Sequence, residues 1–359
     1  MKVIQTVVIS LGLIGNAAAQ NIQINGTVTH SIKEQVAHHQ NINPNAGTRD
    51  IKLLKIQLSD KARKTLATNT RHALAHSHQF ATSNSSGKFP PSVQLGMNNV
   101  PVLDQGQHGS CVTFAITAAY DAVIGSGDYI SQLCQLQLGN YLEANGYGYS
   151  GWNGSLGRYV LSQIDSFGIV TKAQEASHGC GGLHEYPGNE PTPTSPMTVK
   201  AYHQISEPMP QLQAVWSTIL DLYQALERFD TNKTLYEVKS SLVQGDRVAF
   251  ATLLLDFDLG TMGAAGKKGE NYDSWVLTPE IARDIFLNPD FGGHEMIITG
   301  YDDQAVAIDD EGRTHQGLLT LRNSWGNNIG DKGDFYMSYD YFKLLVIEAQ
   351  RIRHVSLFD

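Results

Sequence analysis

Strand-patterned segments crowd the last third of this 359-residue chain. RVAFATLLL (247–255), HEMIITGYDD (294–303), GLLTLRNSW (317–325) and GDFYMSY (333–339) are rich in β-branched and aromatic residues. Helix-patterned runs come earlier, in CVTFAITAAYDAVIG (111–125) and SLGRYVLSQIDSFG (155–168). A Pro-interrupted stretch, EYPGNEPTPTSPMT (185–198), precedes a third expected helix in PQLQAVWSTILDLYQALERF (210–229). Helices first and strands later point to an α+β arrangement with two lobes. With 41% hydrophobic and 17% charged residues the chain has ample material for a core. No internal repeat is present.

The amino terminus differs from the rest. MKVIQTVVISLGLIGNAAAQ has the layout of a cleaved export signal, with the cut after Ala19, and its apolar part is too short to span a bilayer comfortably. The expectation is a secreted protein that holds no membrane once residues 1–19 are removed. A formal charge of −9 with no dense Lys/Arg run argues against a nucleic-acid partner. From 20 to 88 we read strands, a turn and a helix. NIQINGTVTHSI alternates around Asn25-Gly26, a dipeptide suited to a hairpin turn, and IKLLKIQLS (51–59) is a strand. SDKARKTLATNTRHALAHS (59–77) is a helix capped by Ser59 or Asp60. SNSSGKFPPS (83–92) is a linker, and the main domain runs from residue 89 to 359.

Three cysteines in an exported chain leave a free thiol or an intermolecular bridge. If Cys134 pairs with Cys180, Cys111 is the free one. A Cys entering an apolar helix is ordinarily a packed core residue. Gly109-Ser110 ahead of it, however, puts Cys111 at a helix amino terminus, where a thiolate is favoured. His294 opens one apolar strand and Asn323 ends the next, so neighbouring strands could hold a base and its orienting amide side by side.

At these residues the sequence resembles the papain-like cysteine peptidases. DQGQHGSC (104–111) is similar to that family's block around the nucleophile, HEMIITGY (294–301) to its histidine block, and RNSWGNNIGDKGDF (322–335) to its asparagine block, all in the family's order. YISQL (129–133) and GWNGSLGRYVLSQIDSFGIV (151–170) also fall where the family has recognisable segments. The resemblance implies a two-lobe fold, with the nucleophile on a helical lobe and the His and Asn on a barrel-like lobe. It implies Cys111 as nucleophile, His294 as general base and acid, and Asn323 as the residue that orients the imidazole. Gln105 would be the side-chain donor to the oxyanion, beside the backbone N–H of Cys111. Trp325 would shield the His–Asn contact from water. The Cys-to-His spacing exceeds the roughly 130–150 residues of the usual signature, and an insertion at about 185–232 would account for much of that.

Several positions depart from the family. The cysteines usual at the places of His108 and Trp152, which bridge each other, are both absent, so packing is expected in their stead. Val112 replaces an aromatic residue. Asn153-Gly154-Ser155 stands where a glycine pair binds the substrate backbone; it is also a glycosylation sequon, though a glycan there would block the cleft. Glu295 follows the base near the S2 pocket. A charged strand residue is ordinarily solvated; the alternative is a preference for a basic side chain at P2. GTMGAAGKKGE (260–270) reads as a mobile loop rather than a phosphate loop, IDDEGR (308–313) as a solvated turn rather than a calcium loop, and His72 and His76 as surface histidines. No cofactor or metal is called for, and a monomer is expected. Residues 20–88 stand where the family has its prosegment, though without the usual helical signature, and would block the cleft until cut near 80–90. The expected activity is hydrolysis of protein or peptide substrates through a Cys thioester. Acyl transfer or deamidation by the same residues is the second enzymatic option. A papain-like binding protein is the non-enzymatic one, although no catalytic group has been replaced.

Overall fold

The computed structural model describes residues 21–33, 47–75, 89–208, 213–228, 230–255, 265–287 and 290–355. The expected export signal, most of the linker, most of the expected cut region at 80–90, His76 and residues 260–264 of the 260–270 loop lie outside these residues.

The described strands are β1 (Ile22–Lys33), β2 (Thr48–Leu58), β3 (Ser92–Gln94), β4 (Ala214–Leu220), β5 (Arg247–Leu254), β6 (Gly266–Lys267), β7 (Ser274–Trp275), β8 (Asp290–Asp309), β9 (Thr314–Arg322), β10 (Asp334–Ser338) and β11 (Val346–His354). The described helices are α1 (Asp60–Ala75), α2 (Cys111–Ile124), α3 (Gln132–Ala144), α4 (Gly157–Phe167), α5 (Lys172–His178), α6 (Val199–His203), α7 (Thr231–Val243), α8 (Pro279–Leu287) and α9 (Tyr339–Leu345). The fold is mixed α+β.

The sheet runs β4-β11-β5-β8-β6-β7-β10-β9, and a further pairing of β8 with β9 closes its second half into a ring. The long strand β8 is the hub, since it also pairs with β2 and β3. β5 is buried at every position, as a central strand covered on both faces must be. α2 packs between this sheet and the other helices. Nearly all of its residues are buried, so its sequence is apolar all round rather than striped. Gly125 ends it in the left-handed region at φ 71°, which a side chain would resist. α4 is the ordinary case, with Val160, Leu161 and Ile164 forming one buried stripe.

Cys134 and Cys180 are bridged and Cys111 is free. At His108 and Trp152 the rings meet edge to face with centroids 4.9 Å apart. Tyr186, from the Pro-rich stretch, stacks on Trp152 at 5.6 Å.

Two local expectations are corrected. Asn25-Gly26 is not a hairpin turn: β1 continues through it with a shift of register between Ile24 and Thr27, and the whole strand pairs antiparallel with β2. Gly26, at φ 91°, supplies a bulge instead. The 210–229 segment is not a helix. Ala214–Leu220 forms β4, pairing with β11, and Leu222–Glu227 are turns. Its Val, Thr and Ile are β-branched, and the open edge of β11 supplies backbone partners that outweigh the helical spacing of its leucines.

Candidate active site

His294 and Asn323 come from adjacent strands, as their positions suggested. The His294 Nε2–H donates to Asn323 Oδ1 at 2.8 Å, which fixes the tautomer and leaves the Nδ1 lone pair as the base. Nδ1 has no hydrogen-bond partner. The imidazole stacks on the Trp325 indole, centroids 4.5 Å apart, and Trp275 and Phe335 back that indole edge to face. These rings exclude water from the His–Asn bond, where a lower dielectric strengthens it. Burial lowers the His294 pKa to about 4, opposed by the Asn323 bond, so the ring is neutral.

Cys111 is the first residue of α2. The helix terminus and the Glu295 backbone N–H favour its thiolate, yet burial dominates and pushes the thiol up to about 12, with the Glu295 charge adding to the rise. The sequence suggested a lowered thiol pKa. In this state the opposite holds, because the group is dry. Ser110, ahead of it, makes no side-chain cap; its hydroxyl lies 2.8 Å from that of Tyr186.

Gln105 is held on three sides. Its Nε2 donates to His108 O at 2.8 Å, its Oε1 accepts from Ser324 Oγ at 2.8 Å, and its backbone N–H donates to Ser324 O. The second Nε2 hydrogen remains for an oxyanion. Tyr186 Oη donates to Gln105 O at 2.8 Å. Neither Ser324 nor Tyr186 was singled out in the sequence, because each acts only through tertiary contact. His108 is neutral, its pKa lowered by burial, with Nε2 2.6 Å from Pro187 O and Nδ1 3.2 Å from Thr192 Oγ1. It carries no charge to the thiol.

Asn153, Gly154 and Ser155 line the opposite wall, where Gly109 bridges to Asn153. Asn153 is exposed, Gly154 and Ser155 are buried. Across this wall lies β2. Leu54 pairs with Gly293, the residue before His294. The Leu54 side chain sits against Gly154, so close that a Cβ there, at φ +103°, would lie 2.3 Å from Leu54 Cδ2. Lys52 Nζ donates to Asn153 Oδ1 at 3.2 Å, and Arg49 Nη1 donates to Asp104 Oδ1 at 2.7 Å and to Trp325 O at 2.9 Å. The half-exposed Arg49–Asp104 pair contributes under about 1 kcal/mol. Burial of Leu53, Leu54, Ile56 and Leu58 in the main core is worth about 1.5–3 kcal/mol each, so apolar packing decides the docking.

Glu295 is not solvated. It is buried, neither carboxyl oxygen has a partner, and burial, then the charge of Glu348, raises its pKa well above the carboxylate range. A folded-state pKa above the unfolded one, about 4.3, stabilises fully below that unfolded value, and the contribution is lost as pH rises through the folded one. Glu295→Gln is therefore expected to stabilise the fold over wild type increasingly from pH 5 to pH 8, by about 1–3 kcal/mol at the upper end, with a correspondingly higher Tm. Calorimetric scans across that range check this; a difference that does not change with pH would contradict it.

The Asp309 carboxylate of the 308–313 turn is taken up by Arg313 and the Glu311 amide, and His72 lies exposed on α1.

No protein-family model and no curated protein sequence matches the chain. Among solved structures it is similar to xylellain, a cysteine protease from Xylella fastidiosa, at 21% identity over 75% of this chain and 88% of that one, with a TM-score of 0.48. It is similar to the proform of the ragweed pollen cysteine protease Amb a 11 at 19% identity, over 76% of this chain and 67% of that one, with a TM-score of 0.45. Bromelain from Ananas comosus is similar at 17% identity over 74% of this chain and 99% of that one, with a TM-score of 0.42.

Proposed function

We propose that the chain is a papain-like cysteine peptidase, exported by its first 19 residues and held inactive by its own β1–β2 hairpin. The observation that carries the catalytic reading is the 2.8 Å bond from His294 to Asn323 in a strand whose next amide acts on the Cys111 thiol. In the reaction the Cys111 proton passes to His294 Nδ1 while sulfur bonds to the scissile carbonyl carbon, and the C=O π pair moves onto oxygen. The Cys111 N–H and Gln105 Nε2–H stabilise that oxyanion. As the tetrahedral species collapses, the C–N bond breaks and His294 returns the proton to the leaving amine. His294 then deprotonates water, which attacks the thioester and releases the acid and the thiol.

The hairpin reading is supported by β2 pairing beside His294 and by Leu54 seated against Gly154, where a substrate strand would lie. The test is epoxide labelling of the full chain and of the chain cut between 76 and 88. The expected adduct maps to Cys111, and forms faster after the cut. An adduct elsewhere, or none in either form, removes the catalytic reading; equal rates remove the inhibitory one.

A further inference from the structure

The turn 105–110 carries one proposed oxyanion donor at its start, Gln105, and ends on Ser110, whose successor Cys111 supplies the other. Both Gln105 and Ser110 are 0% exposed. The turn's own backbone bond, from the His108 N–H to Gln105 O, is long at 3.4 Å. Its shape is instead held from outside, by the start of the Pro-rich stretch. The Gln107 N–H donates to Gly188 O at 2.9 Å and Gln107 Nε2 to Asn189 O at 2.6 Å. Gly106, at φ +59°, lies so close that a Cβ there would stand 1.9 Å from Gly188 O. Pro187 and Pro191 narrow the conformations open to this strap, so it is ordered at lower entropic cost.

Tyr186 opens the strap and reaches deepest into the turn. Its Oη–H donates to Gln105 O at 2.8 Å. With that hydrogen committed, the same oxygen accepts from Ser110 Oγ–H, also at 2.8 Å. One hydroxyl therefore ties the two ends of the turn together. Burial raises the phenol pKa, against the pull of the Ser110 hydroxyl, so the group stays a protonated donor. Without it, Gln105 O would keep the 3.4 Å bond alone, and Ser110 Oγ would have no partner among the described residues. The ring is fixed independently, stacked on Trp152 and edge to face with Phe114 at 4.9 Å. Packing asks only for that ring; the hydroxyl's two bonds act on the spacing of the oxyanion donors. Such donors must both lie about 2.7–3.1 Å from the developing oxyanion, and a misplacement of about 1 Å is costly.

We propose that Tyr186 is a positioning residue for the oxyanion hole, holding Gln105 and the Cys111 N–H at the separation that a tetrahedral intermediate requires. This rests on the peptidase reading. Tyr186 touches no reacting atom and acts through Gln105 and Ser110.

The test uses Tyr186→Phe, which keeps the ring and removes the hydroxyl, in the full chain opened by Leu54→Asp. Casein is digested first, and one peptide cut in that digest then serves for kcat and KM. Tyr186→Phe is expected to lower kcat about 30-fold with KM within about threefold of the parent. In a Gln105→Ala background the same substitution should cost no more than about threefold, because the donor it positions is already gone. An unchanged kcat, or an equal loss in both backgrounds, would overturn the proposal. Should the Phe variant fail to fold, Ser110→Ala, which unties one end of the turn, takes its place. It is expected to lower kcat about fivefold at constant KM, and no loss overturns the proposal. If the parent cuts no peptide, the peptidase reading falls, and hydrogen exchange at the Gln105 side-chain amide, followed by NMR with ¹⁵N-labelled glutamine, decides the positioning by itself. Exchange at least about tenfold faster in Tyr186→Phe sustains it; an unchanged rate removes it.

Discussion

Cys111→Ala is expected to lower peptide hydrolysis by at least about 10⁴-fold and to abolish epoxide labelling. The magnitude follows from the absence of a substitute. Cys134 and Cys180 are bonded to each other, so the chain holds one free thiol among its three cysteines. With sulfur gone, the Gln105 side chain and the helix amide can still polarise a carbonyl, which sustains only the residual rate that oxyanion donors give alone. The stability cost is small, since one sulfur is lost from a site already packed by Val112 and Ala115. Circular dichroism and Tm therefore separate a folded inactive variant from an unfolded one. Turnover within tenfold of wild type would remove Cys111 as nucleophile.

Opening the hairpin has the second largest expected effect, in the opposite direction. Leu54→Asp puts a carboxylate against Gly154, in apolar surroundings and on the same wall as Glu295. The lost burial and the unpaired charge together cost β2 about 3–5 kcal/mol of docking, enough to raise the rate of Cys111 labelling by about 100-fold. Arg49→Ala removes an ion pair on the rim and should change the rate by no more than a few-fold. The contrast tests whether apolar packing holds the hairpin. Equal effects from the two substitutions would contradict that, and a labelling rate unchanged by Leu54→Asp would show that the hairpin does not limit access. Opening should also let water reach the thiol and bring its pKa down from about 12, toward the range that a helix terminus favours.

Much of the site was legible in the sequence because its chemistry is carried by residue types in local settings. A Gly-Ser-Cys entering an apolar helix, a His opening a strand and an Asn ending the next are short-range patterns. The hydrogen bond between His294 and Asn323 follows from neighbouring strands in antiparallel register, Ile297 opposite Arg322. The strands of the last third were equally clear from their composition. What was missed depends on partners distant in sequence. The 214–220 segment became a strand because β11 offered an edge. Asn25-Gly26 became a bulge because β2 kept pairing past it. Tyr186 and Ser324 gained their roles only by reaching Gln105.

Glu295 marks the boundary between the two kinds of information. By itself the sequence determined an α+β chain, and the residues of a candidate acyl-transfer site and their order, since propensity, alternation and side-chain chemistry are local properties. The tertiary structure alone decided that Glu295 is dry and unpaired beside Glu348, and that β2 crosses the site with Leu54 against Gly154. Burial and pairing are sums over neighbours that the chain brings together only on folding. A carboxylate's charge and a leucine's place in a cleft are therefore not written at their own positions.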